Sequence, residues 1–240
     1  MRKDHRPYYI KKLWFGFQRF YLYHFLAPHL DSLGENPFIV KPWHIEVFGA
    51  PVRIGSNITL LGSSDKKTRL TVWSEKKDIR GIEIGDHVLI SPGVRISAAS
   101  EISIADNCML ASNVYITDSD WHGIYDRSLP QQDVSPVRLE ENVWVGDSAI
   151  ICKNVTIGRN SIIGAGAVVT SDISADCIAA GNPAGIVKSL DPEKKIITRK
   201  DRFSDHESIN MLLDQKEREL LGDNSLFKWL RCCFFPPADI

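Results

Sequence analysis

From Leu139 to Ser174 the chain is written in sixes: LEENVW, VGDSAI, ICKNVT, IGRNSI, IGAGAV, VTSDIS. An aliphatic residue opens each one: Leu139, Val145, Ile151, Ile157, Ile163 and Val169. The same register holds upstream at Ile54, Ile84, Ile90, Ile96, Ile104, Leu110 and Ile116, making thirteen hexads without an exception. The fifth position is small or apolar almost throughout, from Ile58 and Val88 through Cys108, Ala149 and Ser161 to Ile173. The fourth is Asn or Gly in eight of the thirteen, including Asn57, Asn107, Asn113, Asn142, Asn154 and Asn160. A fixed internal period governs the reading of every other signal in such a chain.

Positions one and five lie four apart, so in an extended segment both side chains point the same way. Asn and Gly tolerate left-handed backbone angles, so a turn can recur every six residues at little steric cost. Three short strands and three turns then close a triangular coil of about eighteen residues, and stacked coils bury one aliphatic column. An amphipathic helix needs a period near 3.6, which sixes do not supply. The expected fold is therefore all-β, a parallel β-helix with helical segments at its two ends.

The hexads, the stretch NVWVGDSAIICKNVTIG, and the closing IGAGAVVTSDI with AAGNPAGIVK resemble the hexapeptide-repeat acyltransferases. The likeness is greatest to the branch that acetylates sugars and other small hydroxyl compounds, and it covers roughly residues 45–190. It implies a left-handed β-helix, an exception to the right-handed crossover rule. It also implies a homotrimer that binds acyl-CoA, most simply acetyl-CoA, in grooves between subunits. Bacterial origin and a cytoplasmic location follow from the same resemblance.

Three regions result: an aromatic, basic N-terminal segment and linker (1–44), the β-helix domain (45–190) with an excursion loop (117–138), and a C-terminal extension (191–240). KKLWFGFQRFYLYHFLAPHL reads as a helix covering the open edge of the first coil, or as an interfacial helix in peripheral contact with a membrane. The register places the first coil near Glu46, and SSDKKTR (63–69) and SEKKDIR (74–80) interrupt it as charged loops. Such insertions either shape a binding site or are simply solvated. SDHESINMLLDQKERELLG reads as an amphipathic helix capped by Ser204 and stopped at Gly222. FKWLRCCFFPP then offers an apolar surface for packing or membrane contact.

A formal net charge of −1 gives no electrostatic case for nucleic acid as a partner. Five cysteines in 240 residues do not make a disulfide framework, and Cys108 at a fifth position reads as a small apolar filler.

The largest interruption lies between Ile116 and Leu139, where 23 residues stand in place of six. It contains TDSDWHGIYDR, and a long loop on a rigid solenoid is where function tends to sit. By resemblance, His122 occupies the place of the catalytic histidine, shortly before the hexads resume at NVWVG. A thioester is already activated, so an acceptor hydroxyl can attack it directly once a base takes its proton. Histidine suits that task near neutral pH. The collapsing carbonyl needs an oxyanion donor, which the resemblance assigns to the backbone N–H of Asp147. Asp118 and Asp120 either orient the imidazole, contact the acceptor or are turn carboxylates, and Trp121 either packs under the loop or lines the acceptor pocket. For the cofactor, the resemblance points to Trp144, Gly146, Ala165, Thr170 and Lys188. Gly185 stands where the family often has Arg, which leaves Lys188, with Lys153 or Arg159, for the CoA phosphates.

The function expected is O-acyl transfer from acyl-CoA to a sugar or glycan-precursor hydroxyl, with His122 as base and no metal. N-acylation of an amino sugar and a non-catalytic trimeric scaffold are the alternatives. A γ-type carbonic anhydrase needs three converging histidines, and the coils offer only His87 and His122.

Overall fold

The computed structural model describes residues 4–74, 76, 78–129, 133–203 and 206–235. They form two compact units: Tyr21–Lys200, and the two chain ends together.

The larger unit is a left-handed parallel β-helix of six complete coils with three sheets, called A, B and C in the order the chain visits them. Coil 1 uses β1 (Ser32–Leu33), β2 (Phe38–Val40) and β3 (Ile45–Phe48), and coil 2 uses β4 (Val52–Ile54), β5 (Thr59–Leu61) and β6 (Thr68–Val72). Coil 3 is β7 (Gly81–Ile84), β8 (Leu89–Ile90) and β9 (Arg95–Ala98); coil 4 is β10 (Glu101–Ile104), β11 (Met109–Leu110) and β12 (Tyr115–Thr117). Coil 5 is β13 (Val137–Leu139), β14 (Trp144–Val145) and β15 (Ile150–Ile151); coil 6 is β16 (Thr156–Ile157), β17 (Ile162–Ile163) and β18 (Val168–Val169). Sheet B then gains β19 (Cys177–Gly181), parallel to β17, and β20 (Ala184–Ser189), antiparallel to β19.

All thirteen hexad-opening side chains are buried, at 4% exposure or less, in one continuous core. Each aliphatic side chain so buried contributes about 1.5–3 kcal/mol. Cys108 belongs to the same core, and burial pushes its thiol up to about 12. Ser161 occupies a fifth position as the polar exception, and its hydroxyl donates to the Ser174 carbonyl at 2.7 Å.

The turns follow the fourth-position pattern. Every Asn or Gly predicted there has positive φ, and His87 and Ser148 adopt the same conformation at matching positions. At the A–B corner these residues stack into a polar ladder. Asn57 Nδ2 meets His87 Nε2 at 3.3 Å, Asn142 Nδ2 donates to Asn160 Oδ1 at 3.0 Å, and Asn160 Nδ2 donates to Asp176 Oδ1 at 2.7 Å. His87, counted as a possible metal ligand, is thus a rung of this ladder. Asn142→Ala should lower stability by about 1–2 kcal/mol, because alanine must hold a left-handed angle. Asn142→Gly should lose less, and comparing urea midpoints of the two variants measures the difference.

The repeat begins earlier than its register suggests. Coil 1 starts at Ser32, not near Glu46, and β1 and β2 pair in parallel with β4 and β5. Residues 32–44 are therefore part of the solenoid rather than a linker. Ahead of them, a π-helical turn (Leu22–Leu26) buries Leu22 and Leu26 in the solenoid core. This part of the N-terminal segment covers the first coil.

The second unit contains most of α1 (Tyr8–Tyr21), α3 (His206–Leu221) and α4 (Leu226–Phe234). Lys11 pairs with Glu217 at 2.8 Å, the Tyr8 hydroxyl donates to Asp214 Oδ1, and Asn224 Nδ2 donates to the carbonyls of Asp4 and Arg6. The apolar FKWLRCCFF stretch is helical, with the Ser225 side chain accepting from Lys228 N–H as the N-cap. Ser204, the expected cap of α3, lies outside the described residues. Among the described residues no helix is long and apolar enough to cross a membrane. A short helix, α2 (Arg199–Phe203), begins where Arg199 donates to the His87 carbonyl at 2.7 Å and to Thr59 Oγ1 at 2.9 Å.

Candidate active site

Corners of the solenoid leave backbone amides that the sheets do not use, and a carboxylate takes some of them. At the A–B corner carboxylates take three of them: Asp86 accepts from Ser56 N–H at 2.6 Å, Asp106 from Asp86 N–H at 2.8 Å, and Glu140 from Arg159 N–H at 2.8 Å. At the C–A corner Asp31 accepts from Val52 N–H and Asp172 from Thr156 N–H, each at 2.7 Å. At the B–C corner the amides of Asp147 and Ala165 have no acceptor among the described residues. They lie in consecutive coils at exposed positions, joined by Gly166 N–H donating to the Asp147 carbonyl at 2.8 Å. This edge presents open N–H donors to solvent, the arrangement that stabilises an anion.

Gly146 is what allows that edge to stack. A Cβ there would lie 2.6 Å from Ala165 N and 2.7 Å from the Ile163 carbonyl oxygen, and its own N–H already donates to that carbonyl. Its amide is therefore engaged within the solenoid, and the residue serves coil packing rather than offering a free cofactor contact. Gly146→Ala should force coils 5 and 6 apart locally and cost about 1–3 kcal/mol, read as a lower thermal midpoint. Trp144, Ile162, Ile178 and Lys188 form one outward column of sheet B beside this edge, with Trp144 46% exposed. The structure thus brings Trp144, Asp147, Ala165 and Lys188 onto one side. Thr170 lies beyond β18, on the C–A side, apart from Ala165.

The excursion leaves coil 4 at the C–A corner. Asp118 anchors it: the carboxylate is fully buried and accepts three backbone N–H bonds at 2.7 Å, from Ala99, Ser100 and Glu101. Burial pushes its carboxyl above the usual carboxylate range, with those three amides acting in the opposite sense. These amides span the junction of coils 3 and 4 where the hexad count slips by two, so Asp118 caps that irregular corner. It neither orients the His122 imidazole nor faces an acceptor. Asp118→Asn should cost about 2–3 kcal/mol, since an amide cannot accept all three bonds without aiming its NH2 at a donor. Chemical denaturation measures it.

Beyond Asp118 the loop's two limbs pair through an antiparallel bridge between Ser119 and Val134. Lys153, at the C–A corner of coil 5, binds both limbs, through Asp120 at 2.8 Å and through Asp133. Asp120 and Lys153 therefore hold the loop, and Lys153 is not a free cation for a CoA phosphate. Arg159 lies 3.8 Å from Asp176.

Trp121 is partly buried with φ of 63°, a costly angle for a bulky residue, of the kind found where function constrains the backbone. Its N–H donates to Ser119 Oγ at 3.0 Å and its indole N–H to the Tyr115 hydroxyl at 3.3 Å. The Arg95 guanidinium lies 4.5 Å from the Tyr115 ring centroid. Trp121 thus packs onto the outer face of sheet C. His122 follows with its backbone N–H donating to the Asp120 carbonyl at 2.8 Å, its side chain exposed and, among the described residues, without a hydrogen-bond partner. An imidazole held on a pinned loop and left open is suited to proton transfer. Among the described residues no group of three or more His, Cys, Asp or Glu could hold a metal ion.

Residues 136–171 match the family model for the bacterial transferase hexapeptide (six repeats). The chain carries the hexapeptide repeat of the bacterial transferases. It is 28% identical over 172 residues to the galactoside O-acetyltransferase of Escherichia coli K12, covering 71% of this chain and 69% of that one. It is 34% identical over 110 residues to a putative acetyltransferase of Saccharomyces cerevisiae, covering 45% and 56% of the two chains. In fold it is similar to AntD, an N-acyltransferase from Bacillus cereus solved as a point mutant with dTDP and coenzyme A, with a TM-score of 0.50, 19% identity and coverage of 82% and 96%. By sequence this hexapeptide-repeat chain groups with acetyltransferases, as the resemblance of its hexads implies.

Proposed function

We propose that the chain is an acetyl-CoA-dependent O-acyltransferase that moves the acetyl group directly to a sugar or glycan-precursor hydroxyl. His122 Nε2 or Nδ1 takes the acceptor proton as the hydroxyl oxygen attacks the thioester carbon. The Asp147 N–H, with Ala165 N–H in the next coil, faces the negative charge that develops on the carbonyl oxygen, and CoA leaves as the thiol on collapse. The observation that carries this reading is the pair of solvent-facing amides at Asp147 and Ala165, in consecutive coils of the B–C corner and without an acceptor among the described residues. The named activity of the galactoside relative agrees with it.

The two halves of this chemistry lie apart in one chain. His122 belongs to a loop rooted at the C–A corner, whereas Asp147 and Ala165 sit at the B–C corner, across sheet C. With a rise of ~3.3 Å per residue that separation is roughly 15–20 Å. A homotrimer, in which the C–A corner of one copy meets the B–C corner of the next, unites them and buries acetyl-CoA in the groove between. Calorimetry of purified protein with acetyl-CoA tests the donor assignment: saturable binding is expected, and its absence would remove acetyl-CoA as the donor.

A further inference from the structure

The B–C edge that carries Asp147 continues toward the N-terminus into a pocket of about 430 Å³. Its walls are the corner residues Gly93 of coil 3 and Asn113 of coil 4, with Asp65, Lys66, Lys67 and Arg69 from the charged insertion of coil 2. The corners of coils 3, 4 and 5 stack in register: Asn113 N–H donates to the Pro92 carbonyl and Ser148 N–H to the Ser112 carbonyl. With about 4.8 Å between neighbouring strands, the pocket lies roughly 5–14 Å along the edge from the Asp147 amide.

The lining is cationic. Lys67 and Arg69 share Glu46, at 2.5 Å and 2.7 Å, and Asp65 accepts the Ser63 hydroxyl. The Lys66 ammonium has no ion-pair partner among the described residues and is exposed at the pocket. Asp65 beside Lys66 is held below the usual carboxylate range by the Ser63 hydroxyl first, with Lys66 and Lys41 adding to it, so cations outnumber carboxylates around the pocket. The insertion that interrupts the hexads thus places a positive group on the same edge as the oxyanion donors, at a distance that exceeds one sugar ring.

We propose that this pocket selects an anionic acceptor: a sugar whose reacting hydroxyl lies at Asp147 while a phosphate or carboxylate borne further along it is held by Lys66, with Asn113 and the Lys67–Arg69 pair beside it. The proposal rests on the B–C edge being the acyl-transfer site, yet its test uses binding, which needs no turnover. Methyl glucoside, methyl glucuronide, glucose 6-phosphate and UDP-glucose are titrated by calorimetry into the full chain, into Lys66→Glu, and into Lys76→Glu, a charge reversal at the opposite C–A corner.

At least one anionic ligand should bind ten or more times tighter than methyl glucoside. Its affinity should fall roughly tenfold in Lys66→Glu and with added salt, and stay unchanged in Lys76→Glu. Glucuronide binding alone identifies a carboxylate, and binding of the phosphorylated ligands alone identifies a phosphate. Equal affinity for the neutral glucoside, no binding by any anionic ligand, or insensitivity to Lys66→Glu would each overturn the proposal. Failure of acetyl transfer with acceptor binding intact would instead count against the transferase reading.

Discussion

His122→Ala is expected to lower acetyl transfer by about 10²–10⁴-fold, the range a positioned general base supplies, while acetyl-CoA binding stays as in the wild type. The exposed imidazole makes no hydrogen bond among the described residues, so its removal should change stability by less than about 0.5 kcal/mol. Rate and stability then separate cleanly, which they would not for a structural histidine. Thiol release at saturating acetyl-CoA and acceptor gives the rate, and calorimetry gives the binding. Turnover retained in the variant would refute the base assignment.

The second large effect is expected from removing a single proton donor. Asp147 occupies the second position of a turn whose third residue, Ser148, has φ of 59°, and Ala149 N–H returns to the Gly146 carbonyl at 3.3 Å. That backbone accepts proline at the second position, and coil 3 has Pro92 at the matching place, ahead of Gly93 at φ 82°. Asp147→Pro should therefore fold with near wild-type stability while deleting the N–H that faces the developing oxyanion. A loss of about 10²–10³-fold in kcat is expected. Asp147→Asn, which keeps the amide, should retain most of the rate. Equal losses in both variants would move the role from the backbone to the carboxylate.

Much of the fold is legible in the chain because a solenoid repeats its rules. Aliphatic residues at Ile54 to Val169 fix the inward column, and Asn or Gly at the fourth position of eight of the thirteen hexads marks the turns. His87 and Ser148 show the limit of that reading, since each takes the same left-handed angle without the composition that announces it. Coil 1 is hidden for a related reason. It ends the stack, pairs on one side only, and so does not need the strict hexad register. The excursion is visible as a break in the count, and so is the position of His122 within it.

What the chain does not display is which polar groups satisfy one another. In the sequence Asp118 and Asp120 read equally as orienting His122, contacting the acceptor or serving as turn carboxylates; one caps the slipped corner at Ala99–Glu101 and the other pairs with Lys153. Both contacts join residues from different coils, so no local pattern marks them. The open amides at Asp147 and Ala165 are equally silent, because a free backbone N–H shows only once the hydrogen bonds between coils are seen. The division of the site between two edges also depends on the order of sheets around the coil.

That division supports the most direct test. Separately inactive His122→Ala and Asp147→Pro chains are unfolded together, refolded together and assayed for thiol release. If a site takes His122 from one copy and the Asp147 amide from its neighbour, about a quarter of the sites in a random trimer are intact, and activity near that fraction of wild type should return. Activity that stays at the level of the two single variants, in refolded trimers that bind acetyl-CoA, would contradict a site assembled from two copies.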